Sequence, residues 1–254
     1  MRLASFNLLH GRSLSDGQVD AERFAEAVRA LDVDILGMQE VDRGQPRSQS
    51  RDLTREAAEI MGTEHWLFAP ALIGTPGETW RAATDADAAT DSGAAYGVGL
   101  VSKYPVKDWQ VFRLAPAKMK SPILLPGSKK VIWMTDEPRV GLAAVIDSPI
   151  GVITVATTHL SFVPVWNGVQ LRKLCAALET LPGPRILLGD LNMPSPLPQV
   201  LSRWTSLAKV KTYPSTDPKI QLDHVLASGD VGLVRSVDTP VLPLSDHRAL
   251  VVTL

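Results

Sequence analysis

A single cysteine in 254 residues leaves the chain without an intramolecular disulfide. Cys175 shares a helical apolar pattern with Leu171, Leu174 and Leu178, which predicts a place in the core. An excess of one charge is lacking too. Twenty-six Lys plus Arg oppose 27 Asp plus Glu, a net −1, so no global positive field draws nucleic acid and any polyanion contact must be local. The opening residues, Met1 to Asn7, turn polar too early for the apolar core of a secretory signal, and a cytoplasmic location is expected. Between Asp147 and Arg172 there is no Asp, Glu, Lys or Arg. Pro149, His159, Pro164 and Asn167 would still be poor lipid-facing residues there, so no stable membrane insertion is expected. No fixed-period repeat is present. What the chain does have is 45% apolar and 21% charged residues, enough to bury a core, and a length that suits one domain over 1–254.

Periodicity predicts alternating strands and helices, hence a layered α/β architecture. Strands are expected over Arg2–Asn7, Val33–Met38, Val140–Ile146, Gly151–Thr157, Arg185–Asp190, Leu222–Leu226 and Arg248–Leu254, the third and fourth joined as a hairpin through residues 147–150. A first helix presents Phe24, Ala27, Val28 and Leu31 on one face, with Asp20 as its N-cap. A second presents Leu53, Ala57, Ile60 and Met61 and stops at Gly62. A third, around Leu171 to Leu181, ends at Pro182-Gly183-Pro184. Residues 74–95, with weak periodicity, read as a long mobile loop.

Polar groups recur where apolar strands end: Asn7, then Gln39-Glu40, His159, and Asp190 with Asn192. Asp223-His224 and Asp246-His247 extend the set. Strand ends converging on one rim would gather carboxylates, amides and imidazoles, as hard-cation binding and acid–base chemistry require. Singly, each has a plainer use: Asn7 or Asn192 could cap a turn, Asp190 could cap a helix near Pro194, and His224, inside an apolar run, suits a satisfied buried imidazole. His10 and His65 fit structural or surface roles. Lys103, Lys107, Arg113, Lys118, Lys120, Lys129 and Lys130, against Asp108 alone, form either a phosphate-facing rim or a set of solvated lysines. Trp80, Trp109 and Trp133 are expected to pack rather than to stack on bases or lipids.

Taken in order, Ser5-Phe6-Asn7, Gln39-Glu40-Val41-Asp42, Thr158-His159-Leu160, Gly189-Asp190-Leu191-Asn192, Leu222-Asp223-His224 and Ser245-Asp246-His247 resemble the endonuclease/exonuclease/phosphatase superfamily across nearly the whole chain. The resemblance implies a DNase I-like four-layer sandwich of two mixed β-sheets flanked by helices. It implies a Mg²⁺ or Mn²⁺ site with Glu40 as principal ligand, Asn7 beside it and Asp246 near the same metal. It also implies His247 as general base oriented by Asp223, Asp190 and Asn192 positioning the attacking water and the phosphate, and His159 at a phosphate oxygen or the leaving group.

The expected chemistry is phosphodiester hydrolysis by in-line attack of a His-activated water. Phosphate hydrolysis needs charge neutralised on nonbridging oxygens and an aligned nucleophile, which these residue types supply. A nuclease, a phosphomonoesterase, a zinc hydrolase using His159, His224 and His247, and an inactive binding protein are the alternatives. His224 stands where many family nucleases carry an aromatic residue, and Leu8-Leu9-His10-Gly11 lacks the acidic residue of many abasic-site nucleases. A small diester, a phospholipid and a nucleic acid all remain open as substrate, as does the oligomeric partner.

Overall fold

In β1 (Arg2–Asn7) successive side chains alternate between faces. Leu3 enters the core between two sheets, while Ala4 and Phe6 pack under helices. The computed structural model describes residues 1–88, 93–118, 121–124 and 131–254. After β1 come helix α1 (Ala21–Leu31), strand β2 (Ile35–Arg43), helix α2 (Leu53–Met61) and strands β3 (His65–Gly74) and β4 (Trp80–Ala82). A single turn, α3 (Asp85–Ala88), precedes strands β5 (Ala95–Ser102), β6 (Val106–Leu114), β7 (Ser121–Leu124), β8 (Val131–Met134), β9 (Arg139–Ser148) and β10 (Gly151–His159). Then follow α4 (Trp166–Leu178), β11 (Arg185–Asp190), α5 (Leu197–Ser202) and strands β12 (Thr205–Ser206), β13 (Asp223–Ser228), β14 (Ser236–Asp238) and β15 (Leu250–Thr253).

The strands form two mixed sheets of seven and six strands, in the orders β14-β15-β1-β2-β5-β3-β4 and β12-β13-β11-β10-β9-β6, with β7 and β8 paired separately. Each large sheet holds one parallel pair, β1/β2 or β10/β11, joined through a crossover helix and flanked on both sides by antiparallel strands. The layers follow from three apolar clusters. Leu3, Ile35 and Leu100 meet Leu142, Val155, Ile186 and Val225 between the sheets. Phe24, Leu31 and Leu53 of α1 and α2 cover Phe6, Leu36 and Met38 on one outer face. Leu171, Leu174 and the buried Cys175 of α4 cover Ala156, Leu187 and Leu226 on the other. This is the expected α/β sandwich of the DNase I-like kind.

Local signals account for several boundaries. Asp20 accepts from the Arg23 N–H at 2.9 Å and starts α1, and Gly62, at φ 70°, ends α2. Other expectations need correcting. β2 begins at Ile35 rather than Val33 and continues through Glu40 to Arg43, because a bulge between Met38 and Val41 lets pairing with β5 resume. Helix α4 starts at Trp166 and ends at Leu178, earlier than the Leu171–Leu181 window. The loop expected over 74–95 contains β4 and α3: Leu72, Ile73 and Gly74 of β3 pair with residues 80–82, and Arg81 holds Asp87 through a paired contact of 2.6 and 2.8 Å. Residues 89–92 of that window lie outside the described ones.

Trp109 packs on the inter-sheet core and Trp80 is half-buried, but Trp133 is 66% exposed, so the packing expectation fails for it. Among the described residues the basic segment does not form one rim. Lys103 and Lys107 pair with Asp32 and Asp147, whereas Arg113, near the other end of β6, holds Asp85 and backbone carbonyls. Lys120, Lys129 and Lys130 lie outside the described residues. Among the described residues no helix is long and apolar enough to cross a membrane.

Close approach of strands sets one stability prediction. A Cβ on Gly189 would lie 2.4 Å from the Thr158 carbonyl oxygen, a backbone atom of the neighbouring strand that cannot swing aside. Gly189→Ala should cost at least ~2 kcal/mol, the scale of overpacking, with a matching fall in urea midpoint. An unchanged midpoint would mean that β10 and β11 shift apart freely.

Candidate active site

Going along the inter-sheet face towards one end, the lining turns from apolar to polar. Leu3 and Ile35 give way to Ser5, Gln39 and Thr157, where Gln39 Nε2 donates across the sheets to Thr157 Oγ1 at 2.9 Å. One step further the strand ends arrive. β1 ends at Asn7, and in the second sheet the register sets His159 beside Asp190 and Asp190 beside Asp223 on one face. Alternation turns the neighbour His224 to the opposite face. There its Nε2 sits 2.9 Å from the Met193 carbonyl, so it is the satisfied buried imidazole. The three-histidine zinc arrangement is thereby corrected: His224 faces the other side of the sheet and engages the Met193 carbonyl, away from His159 and His247.

Backbone strain aims three of the remaining groups. Glu40 (φ 52°), Asn192 (φ 51°) and Ser245 (φ 73°) all occupy the left-handed region without being glycine. Under strict alternation Gln39 faces the inter-sheet space and Glu40 would face the helices. The bulge and positive φ swing Glu40 back to the cleft, where Asn7 Nδ2 donates to its Oε1 at 3.0 Å. The same Nδ2 donates to Asp190 Oδ2 at 3.0 Å, while Asn7 Oδ1 accepts from the Leu9 N–H. Asn7 therefore caps a turn and bridges two carboxylates at once. Ser245 Oγ donates to the Asn7 carbonyl at 2.6 Å and accepts from the His247 N–H, stapling the loop that carries Asp246 and His247 to the end of β1.

His247 lies between two carboxylates, with Nδ1 2.9 Å from Asp223 Oδ2 and Nε2 3.7 Å from Asp190 Oδ2, and the Tyr213 ring stands 4.8 Å away. Burial alone would lower its pKa, but the charges of Asp223, Asp190 and Asp246 outweigh that and raise it to about 10. Burial pushes Asp190 up to about 6, with Asp223 adding to the push. Loss of hydration likewise raises Glu40 to about 7, reinforced by Asp246 and Asp190 and opposed by the Asn7 hydrogen bond. His159 is driven well below its ordinary value, first by burial and then by the positive charges of Arg139 and His247, and is neutral. Its Nε2 is 3.1 Å from Asn192 Nδ2, which also donates to the Leu160 carbonyl. Asn192 thus orients the imidazole rather than only capping a turn, and Asp190 does not cap a helix near Pro194. Instead its Oδ1 accepts from the Asn192 N–H two residues on.

All eight expected site residues gather here. Glu40, His159, Asp190, Asn192, Asp246 and His247 line a cleft of about 370 Å³, with Asn7 and Asp223 behind them. Tyr96, Glu137, Arg139 and Tyr213 line it too and were not anticipated. Register carried the missing signal for Arg139. Gly141 pairs with Thr158, so the start of β9 must lie beside His159.

A hard cation fits these residues. Several carboxylates share one desolvated cleft, two of them carry raised pKa values, and Asp246 Oδ1 and Asp223 Oδ1 are buried without a hydrogen-bond partner among the described residues. Asp190, Asp223 and His247 also offer ligand atoms within 4.8 Å of one another. Asp223 Oδ2 and His247 Nδ1 are engaged with each other, however, so that trio works as a hydrogen-bonded chain and leaves Glu40 and Asp246 as the better-placed anionic donors.

A two-sheet sandwich with carboxylates, amides and an Asp-supported histidine at one end defines the class of phosphate-ester hydrolases. The chain belongs to the Endonuclease/Exonuclease/phosphatase family, whose profile matches residues 4–247. Solved structures share the fold. An endonuclease/exonuclease/phosphatase from Beutenbergia cavernae DSM 12333 is 20% identical with TM-score 0.70, over 99% of this chain and 70% of that one. Sphingomyelinase C from Streptomyces griseocarneus is 15% identical with TM-score 0.62, over 99% and 98%. A mannosyl-6-phosphatase from Bacteroides thetaiotaomicron VPI-5482 is 16% identical with TM-score 0.58, over 100% and 98%. No curated protein sequence matches the chain. Membership supports phosphate-ester hydrolysis as its chemistry.

Proposed function

We propose that this protein is a Mg²⁺- or Mn²⁺-dependent phosphodiesterase that cleaves a P–O bond by in-line attack of water. The observation that carries this reading is the line Asp223–His247–Asp190, with spacings of 2.9 and 3.7 Å, set against the Glu40 and Asp246 carboxylates. Glu40 and Asp246 would hold the metal, and Asn7 ties Glu40 to Asp190 through its two 3.0 Å contacts. When bound, the ion neutralises charge on the phosphoryl oxygens and lowers the cost of attack. His247 Nε2 accepts the proton of the attacking water while Asp223 holds the imidazole by Nδ1. Asp190 faces the same water. His159, fixed by Asn192, sits beside the phosphate and the leaving oxygen. A diester is favoured over a monoester because its single negative charge is repelled less by a cleft already rich in carboxylates.

Turnover of small diesters, phospholipid, RNA and plasmid DNA should be compared with Mg²⁺ and with Mn²⁺, using Asp190→Asn as contamination control. Activity retained by that variant would sink the reading. Because Lys103 and Lys107 are engaged by acidic partners, small or locally presented diesters should be cleaved better than long duplex DNA, with weak salt dependence. Efficient duplex cleavage with a steep salt slope would instead make the protein a nuclease.

A further inference from the structure

We propose that Arg139 is the residue that binds the substrate's phosphoryl group, its guanidinium taking a nonbridging oxygen in the cleft. Arg139 opens β9 and lines the cleft with Glu40, His159, Asp190 and His247. It is only 6% exposed, yet its Nε has no hydrogen-bond partner among the described residues. A buried guanidinium N–H left unpaired is costly, and structures keep such groups where a ligand completes them.

The surroundings hold this cation without satisfying it. Asp136, at 1% exposure, spends Oδ2 on the Ala117 N–H at 2.7 Å and on the Ser161 hydroxyl at 2.8 Å. Its other oxygen, Oδ1, stands 3.8 Å from Arg139 Nη2 and has no hydrogen bond among the described residues. Asp136 is therefore clamped from behind and anchors Arg139 by charge at a distance, leaving the planar fork free for a tetrahedral oxyanion. Among carboxylates gathered for a cation, an anionic substrate needs one fixed positive group that does not titrate, and arginine supplies it with two-pronged geometry. Burial, seconded by the Arg139 charge, keeps neighbouring His159 neutral, so the two are complementary: one carries the charge and the other a neutral imidazole at the same phosphate.

This assignment rests on the phosphoesterase reading for its substrate, but inorganic phosphate binding tests it without turnover. Calorimetry with inorganic phosphate, with and without Mg²⁺, should show R139A weakened by roughly 10- to 100-fold, the scale of a lost charged hydrogen bond, while Mg²⁺ affinity stays at the wild-type value. R139K keeps the charge and loses the fork, and should be weakened several-fold. For small diesters, kcat/KM should fall in parallel, and millimolar guanidinium should restore part of the R139A loss, which a merely structural role would not allow. Wild-type phosphate affinity in R139A overturns the proposal. If R139A does not fold, wild-type affinity in R139K overturns it equally. Absence of phosphate-ester turnover by the wild-type protein would instead sink the phosphoesterase reading, leaving phosphate binding to decide Arg139.

Discussion

Replacing His247 by alanine lowers turnover by roughly 10²- to 10⁴-fold, the span of a positioned general base. Asp223→Ala, which leaves the imidazole in place without its 2.9 Å partner, lowers it less. The double variant falls short of the product of the single losses because the two residues act as one unit. Independent multiplicative losses would break the dyad. Electrostatics adds a second readout. Without a cation, three carboxylates hold His247 at about 10, and an imidazolium cannot accept a proton. Positive charge added near Glu40 and Asp246 opposes that raised value, so the His247 ring proton should titrate at clearly lower pH when Mg²⁺ is present. An unchanged NMR titration curve would separate the base from the metal.

Glu40→Gln should weaken Mg²⁺ and Mn²⁺ binding by at least about tenfold, since it removes an anionic oxygen while keeping size and the Asn7 contact. The same substitution should stabilise the metal-free fold at high pH. Glu40 is raised from 4.5 to about 7, so the folded state holds a proton that the unfolded chain has already released. Stability is therefore lost as pH climbs from about 4.5, and the full cost is present above about 7. That cost is on the order of 1–3 kcal/mol. Urea midpoints of the metal-free wild type should drop between pH 5 and 8, those of the variant should drop less, and Mg²⁺ should rescue the wild type more. Equal metal affinity by calorimetry in a folded variant would remove Glu40 from the metal site.

Much of this architecture was legible in local patterns because the causes are local. Asp20 and Gly62 act within one turn of their helices, and the apolar alternation around Asn7, His159 and Asp190 already marks strands with polar ends. The burial of His224 followed from its apolar run. What escaped depends on pairing between distant segments. Glu40 was named through the resemblance, but the bulge against β5 that turns it into the cleft was not visible, and Arg139 becomes a site residue only when β9 is set in register with β10. The segment 74–95 looked structureless because β4 has three residues and takes its order from β3. Trp133 was expected to pack as an ordinary aromatic, yet it lies on the separate two-stranded β7/β8 sheet and is exposed.

The staple between Ser245 and Asn7 joins residues 238 positions apart, and β15 beyond it pairs with β1. Read as an order of events during synthesis, this means that a ribosome can deliver Glu40, His159, Asp190 and Asn192 long before the proton acceptor exists. The loop bearing His247 cannot be fastened until residues 250–253 have emerged and closed the first sheet along its opening strand. Such long-range closure is slow relative to local folding. The proton acceptor is thus the last of these groups to be fixed in place, and the cleft gathers its other residues before it gains a base.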